Sequence, residues 1–179
     1  MKISVYSRMD RPIIVAEYDP RWPRLFEKER DLIRAALADK VIAIEHIGST
    51  AVPGLPSKPT IDIGVGLGTL DNAAECIQLL ERLGYRYEPD FEQLLPDRRF
   101  LWKGTRENHT HHIHMAAVGS DMWKRPILFR DYLRAHPDEA LGYAELKKRL
   151  ASRHSTDIDA YVEGKTAFVK HVLARIVND

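Results

Sequence analysis

Ile44-Glu45-His46-Ile47-Gly48-Ser49-Thr50-Ala51-Val52-Pro53-Gly54-Leu55-Pro56-Ser57-Lys58-Pro59-Thr60-Ile61-Asp62-Ile63-Gly64-Val65-Gly66-Leu67 decides how this chain is read. Two apolar runs flank a loop rich in Pro and Gly, which marks strand, loop, strand. The second run alternates with period two. Ile61, Ile63, Val65 and Leu67 take one face of a strand, an ordinary core face, while Thr60, Asp62, Gly64 and Gly66 take the other. On that second face Asp62 stands almost alone in side-chain volume. Each glycine weakens a strand interior, so two of them call for a close approach. Either a ligand or another backbone comes near, or a helix packs tightly on the glycines. Gly48 and Ser49 end the first run, and small residues there let a phosphate approach backbone amides. A carboxylate on the neighbouring strand, Asp62, can hold a metal ion against that phosphate.

The same segment, with others along the chain, resembles the GrpB family, a branch of the nucleotidyltransferase superfamily. The resemblance is carried by Tyr18-Asp19-Pro20-Arg21-Trp22-Pro23, by Glu45 to Leu55 and by Lys58-Pro59 before Asp62. It continues with His111-His112-Ile113-His114, Phe129-Arg130-Asp131-Tyr132-Leu133-Arg134, and the last-helix pattern around Tyr161 and Lys165. A similar domain is fused to dephospho-CoA kinase in some bacteria. The resemblance implies a nucleotidyltransferase-like mixed sheet flanked by helices. It also implies a nucleoside triphosphate and a small-molecule acceptor as partners, with Mg²⁺ or another divalent cation as cofactor. The superfamily pattern is Gly-Ser, a spacer, then two acidic residues one position apart. Here Asp62 is present and the partner position holds Gly64, so the carboxylate pair that normally binds two ions is broken.

Composition sets the outer bounds. A chain of 179 residues fits one domain, 1–179, read as a sheet-and-helix part over 1–118 and a helical part over 119–179. Apolar content of 44% and charged content of 30% are those of a soluble globular protein. A net charge of +1 gives no broad basic field for nucleic acid. Cys76 is the sole cysteine, so no internal disulfide forms, and its spacing with Ala73, Ile77 and Leu80 reads as a buried helix position. No apolar run approaches the ~18 residues of a membrane span. The N-terminus has no signal-peptide pattern, and a cytoplasmic location is the expectation.

Outward from the opening segment, the pattern predicts a strand over 13–18 and a helix from Asp19-Pro20 to about Asp39, with Trp22, Leu25, Phe26, Ile33 and Leu37 inward. Strands follow over 41–47 and 60–67, then a helix from Asp71 to Gly84. Further strands fall over 85–88, 98–103 and 110–117. After Gly119 the chain reads as helical over 120–135, 137–151 and 156–177. Strands first and a helical end make an α+β fold with a helical cap.

Several residues carry candidate chemistry. Ser49, with Gly48 and the weaker candidate Thr50, can hold phosphate oxygens or merely cap a turn. Lys58 can meet a triphosphate as a point charge. Glu45 and His46 either orient a ligand or are satisfied strand-end groups. On a strand, His112 and His114 share one face at a Cα separation of about 6.6 Å, close enough to bind one metal ion or straddle a phosphate. His112 is assigned to the nucleotide, and His114 joins Asp62 as metal ligand. His111 points the other way, with Ile113 and Met115. Lys165 sits in the middle of an apolar helix stripe of Ile158, Tyr161, Val162, Phe168, Val169 and Val172, where it must snorkel or meet an anion. One arginine of Arg98-Arg99 can point into the site. Arg130 and Asp131 either pair across the cap or touch ligand. The run Glu145 to Arg149 reads as a solvated helix face.

Three functions fit. The first is nucleotide transfer to a small acceptor, with Asp62 as the catalytic metal-binding residue. The second is a non-catalytic nucleotide- or CoA-precursor-binding domain, which Gly64 favours. The third is a metal-dependent hydrolase built on Asp62 and the His pair.

Overall fold

Ile61–Leu67 (β2) is buried except at Asp62 and lies second in a five-stranded sheet. The computed structural model describes residues 12–178. The N-terminal stretch on which the leader reading rests lies outside them. The sheet order is β1-β2-β5-β4-β3, with β1 Ala43–Ile47, β3 Arg86–Tyr87, β4 Arg99–Gly104 and β5 His109–Ala117. β2 runs parallel to β5, and the other three pairings are antiparallel. A parallel pair needs a crossover. Here α2 (Ala73–Arg82), β3 and β4 intervene between the two strands. The sheet is mixed, helices flank it, and the C-terminal part is helical, as the α+β reading expects.

The aliphatic faces of β2 and β5 point the same way. Ile61, Ile63, Val65, Ile113 and Met115 join Leu101 in a core closed by α1 (Trp22–Leu37) and α2. Ile63, Val65, Ile113 and Met115 have no exposed surface. Burying each such side chain stabilises the fold by about 1.5–3 kcal/mol. Cys76 is buried in the same core, as its spacing implies. In α1 the buried stripe is Trp22, Phe26, Glu29, Ile33 and Leu37. Leu25 is 45% exposed, so it is not an inward residue. Glu29 takes an inward place instead because it accepts hydrogen bonds from Tyr85 Oη at 3.0 Å and Lys103 Nζ at 2.9 Å.

The strand expected over 13–18 does not form. Among the described residues of that segment only Ala16 makes a bridge, to Ser57. The isolated bridge ties the segment to the 48–59 loop rather than to the sheet.

On the opposite face α3 (Asp121–Ala135) packs against β1 and β5, and α4 (Pro137–Arg153) and α5 (Ile158–Asn178) pack against α3 and each other. Ser120 caps α3 by accepting the Trp123 N–H. The two alternatives for the glycine face are now separable. A Cβ on Gly64 would meet Trp123 Cζ3 at 3.3 Å, and one on Gly66 would meet Val118 Cγ2 at 2.6 Å and Trp123 at 3.0 Å. Both glycines therefore make room for Trp123 of α3, and Gly66 also for Val118 just past the end of β5. Only Asp62, nearer the start of β2, is left open. Farther along, α4 and α5 touch where a Cβ on Gly164 would run into Leu150, which explains a glycine inside a helix.

Candidate ligand and metal site

Parallel register places Asp62 opposite His112 and Gly64 opposite His114. Both imidazoles lean toward the carboxylate. His112 Nδ1 lies 3.1 Å and His114 Nε2 3.2 Å from Asp62 Oδ1. Among the described residues these three side chains form a group whose ligand atoms all lie within 4.8 Å of one another. Their side chains are 28%, 13% and 20% exposed for Asp62, His112 and His114, so an incoming ligand can reach them.

Burial alone pushes the Asp62 carboxyl up, but the hydrogen bonds from His112 and His114 outweigh it and hold the group well below the usual carboxylate range. Burial lowers the His112 imidazole to about 4 against the opposing pull of Asp62. Burial lowers His114 as well. At neutral pH the site is therefore one carboxylate with two neutral imidazoles. Each histidine has a partner behind it. His112 Nε2 is 2.9 Å from His109 Nδ1, and the His109 ring stacks on Trp102 at 4.1 Å. His114 Nδ1 is 3.3 Å from an Arg98 Nη atom.

A cavity of about 240 Å³ opens over this cluster. Of the residues predicted from sequence, Ser49, Lys58, Asp62, His112, His114 and Lys165 all line it. Lys165 stands over the Tyr161 ring at 4.4 Å, and burial lowers its ammonium to about 8. Arg98 is the arginine of its pair that enters the cavity. Arg99 pairs with Glu92 at 3.2 Å.

Gly48, expected to meet the nucleotide, does not line the cavity and lies against the Asp62 carboxylate instead. Its φ of 71° and ψ of −174° lie in a region that only glycine occupies readily. Thr50 does not line the cavity. Its hydroxyl meets His46 Nε2 at 3.0 Å, and His46 stacks on Phe26 at 4.6 Å. A phosphate role for Thr50 thus gives way to a structural one. Glu45 and His46 are satisfied strand-end groups, since Arg130 donates to Glu45 Oε2 at 2.7 Å and to the His46 carbonyl at 2.8 Å. Arg130 also pairs with Asp131 at 2.7 Å, and Arg134 donates to the Ala51 carbonyl. The two arginines fix the turn that presents Ser49. His111 meets Thr110 Oγ1 at 3.0 Å and stays off the cluster.

Sequence reading missed Lys147. The run Glu145 to Arg149 is not uniformly solvated, because Lys147 is 2% exposed, lines the cavity and donates to the Pro56 carbonyl. Burial lowers its ammonium to about 7. Helical spacing from Tyr143 to Lys147 to Leu150 was the available signal. Tyr143 itself shares a side-chain hydrogen bond with Ser49.

Fold and site together define a mixed-sheet α+β protein with an Asp-His-His cluster under a cationic cavity. The GrpB protein family profile matches residues 12–175, and the chain belongs to that family. The crystal structure of conserved protein GrpB from Enterococcus faecalis superposes with a TM-score of 0.83 at 37% identity, covering 92% of this chain and 98% of that one. The UPF0157 protein YqkA of Bacillus subtilis is 36% identical over 89% of this chain, which spans 46% of that relative's length. A dephospho-CoA kinase of Mycolicibacterium paratuberculosis is 28% identical over 92% of this chain and 46% of the kinase. No helix among the described residues is long and apolar enough to cross a membrane.

Proposed function

We propose that this protein binds a nucleoside triphosphate together with a divalent ion and transfers the nucleotidyl group to a small acceptor. One observation carries the reading: Asp62, His112 and His114 converge on the floor of a cavity that also holds Lys147, Lys165 and Ser49. The donor set is one carboxylate and two imidazoles. Mg²⁺ prefers oxygen ligands and water, so this set fits it poorly. It fits Mn²⁺, Fe²⁺ or Zn²⁺, for which imidazole and carboxylate are both suitable. Such an ion would be held by Asp62, His112 and His114, and when bound it neutralises charge on the reacting phosphate.

The chain's own groups supply the rest. Lys147, Lys165 and Lys58 line the wall and favour a polyanion. In the transfer, the acceptor's oxygen bonds to the α-phosphorus, the bond to pyrophosphate breaks, and the acceptor's proton passes to solvent. Lysine charge at the cavity wall stabilises the departing pyrophosphate. The Ser49 hydroxyl orients a phosphate oxygen.

A second reading is a binding domain for a nucleotide or a CoA precursor without turnover. The Trp123 ring against Gly64 favours it, because it fills the space into which a second carboxylate would project. The similarity to part of a dephospho-CoA kinase agrees with that ligand class.

Calorimetry with Mn²⁺ and each of the four nucleoside triphosphates, followed by ³¹P NMR, tests both. Binding that weakens at least about tenfold in Asp62→Asn, with pyrophosphate released in the presence of an acceptor, supports transfer. Binding without pyrophosphate release supports the second reading. No triphosphate binding sinks the transfer reading and leaves the second reading only its CoA-precursor form, which calorimetry with dephospho-CoA then tests.

A further inference from the structure

Arg98 faces the cluster and the cationic cavity at once. Its side chain lines the cavity with Lys147 and Lys165. One of its Nη atoms lies 3.3 Å from His114 Nδ1. An arginine has five donors and no acceptor. His114 Nδ1 must therefore be the acceptor in this contact. A neutral imidazole carries a single N–H, so that proton sits on Nε2, which lies 3.2 Å from Asp62 Oδ1. His114 thus donates to Asp62 through the very nitrogen that would ligate a metal ion. While Arg98 stays in place, that lone pair is not available.

The rest of Arg98 is poised for an anion. Its Nε is buried with no hydrogen-bond partner among the described residues. The guanidinium rests on aromatic faces, 5.8 Å from the Phe100 centroid and 6.0 Å from that of Phe91. These contacts allow it to slide without loss of a fixed ion pair. A phosphate entering beside Lys147 and Lys165 offers the charged, bidentate partner that guanidinium prefers over an imidazole nitrogen.

We infer that Arg98 couples the two ligands: it locks His114 in the donor form when the cavity lacks an anion, and an entering phosphate draws it off so that His114 can bind metal. The inference rests on the metal reading proposed above. Coupling between sites is reciprocal, so metal bound at Asp62 must raise phosphate affinity by the same factor. His112 is not under this control, because its second nitrogen faces His109, a histidine able to donate or accept. Arg98 is a positioning residue here, acting on the metal through His114.

The test uses Mn²⁺ as the metal and inorganic pyrophosphate as the anion, with the full chain. Calorimetry on wild-type protein should show Mn²⁺ affinity rising at least about fivefold when protein is first saturated with pyrophosphate, the low end of coupling between linked sites. Arg98→Met keeps the length and removes the donors. It should bind Mn²⁺ at least about fivefold tighter than wild type without pyrophosphate, a gain that a merely structural loss would not give. Arg98→Lys keeps the positive charge and serves as the second variant. A gain in Arg98→Met that Arg98→Lys lacks supports the inference only together with the His114 tautomer, because removing a positive charge beside the site also favours a cation. Long-range ¹H–¹⁵N NMR then decides the remaining point, since His114 in the free wild-type protein should be the Nε2–H tautomer. Finding the Nδ1–H tautomer, or equal Mn²⁺ affinity in wild type and Arg98→Met, overturns the inference. Mn²⁺ binding that is Asp62-dependent yet indifferent to pyrophosphate and to Arg98 overturns the coupling and leaves the metal reading standing. Absence of Mn²⁺ binding in every variant and condition overturns both.

Discussion

Gly48 lies so close to Asp62 that a Cβ at Gly48 would stand 2.5 Å from Asp62 Oδ2. The glycine is what lets the loop from β1 pass over the carboxylate while Asp62 keeps its two imidazole partners. Its backbone adds a second requirement, with φ 71° and ψ −174°.

Gly48→Ala should therefore damage both stability and site. Backbone conformations restricted to glycine cost about 1–3 kcal/mol when another residue is forced into them. The new methyl must also displace the Asp62 carboxylate, which loosens its hydrogen bonds to His112 and His114. Urea unfolding should show a loss in that range, and metal affinity should fall with it. A variant as stable as wild type would mean that the turn can relax without touching Asp62.

Arg130 gives a prediction about how the same turn is held. It is 8% exposed and donates to Glu45, to the His46 carbonyl and to Asp131. Arg130→Met leaves the buried His46 carbonyl without that donor, which costs about 1–3 kcal/mol. Urea unfolding should show this loss. Triphosphate affinity should fall as well, because Ser49 follows directly on the strand end that Arg130 anchors. Unchanged unfolding would show that water replaces the guanidinium.

Much of the site was legible because strand periodicity is a short-range property. Period two alone puts Asp62 on the open face of β2 and His112 with His114 on one face of β5. The parallel register then joins them, and that register is set by the shared aliphatic face of Ile61, Ile63, Ile113 and Met115. What was not legible depended on distant partners. Nothing within β2 says that Trp123, on α3, packs over Gly64. Lys147 was hidden because its neighbours Glu145, Lys148 and Arg149 make the run look solvated, although the position falls on the Tyr143–Leu150 stripe. Thr50 reads as a phosphate ligand from its place beside Ser49, whereas the short turn over 49–51 folds its hydroxyl back onto His46, a local contact that composition does not show. The segment over 13–18 has a strand's composition, but its Ala16 pairs with Ser57 of the 48–59 loop rather than with the sheet.

Gly64 supplies a third prediction. Gly64→Asp restores the sequence pattern of two acidic residues one position apart. In this fold the new side chain must grow into the Trp123 ring, 3.3 Å from where its Cβ would lie. Overpacking of this kind costs about 1–3 kcal/mol, and an unpaired carboxylate against an indole adds to it. The substitution should lower the urea midpoint and leave Mn²⁺ affinity unimproved. Tighter Mn²⁺ binding with unchanged stability would show that the ring swings aside and that a two-carboxylate site is within one substitution of this chain.

The cavity lysines predict how anion binding responds to pH. Burial lowers Lys147 to about 7, with the nearby Lys165 charge pushing the same way and Asp62 opposing. Burial lowers Lys165 to about 8, again against Asp62. Both folded values lie below the ordinary lysine value near 10.4. Below pH 7 both groups are cationic in the folded protein, and above pH 8 both are mainly neutral. An anion binds the charged forms, so affinity should be high at pH 6.5 and fall as pH rises to 9. Sulfate is the suitable probe, because it stays a dianion throughout and any change belongs to the protein. The sign for stability is opposite. Between the folded values and about 10.4 the unfolded chain holds more protons than the folded one, so these two lysines make the ligand-free protein more stable as pH rises through that window. Sulfate titrations at four pH values, with thermal melts of the free protein alongside, read both trends. Lys147→Met should remove the lower part of the affinity change and Lys165→Met the upper part. Sulfate affinity that stays flat from pH 6.5 to 9 would mean that these ammonium groups do not meet the anion.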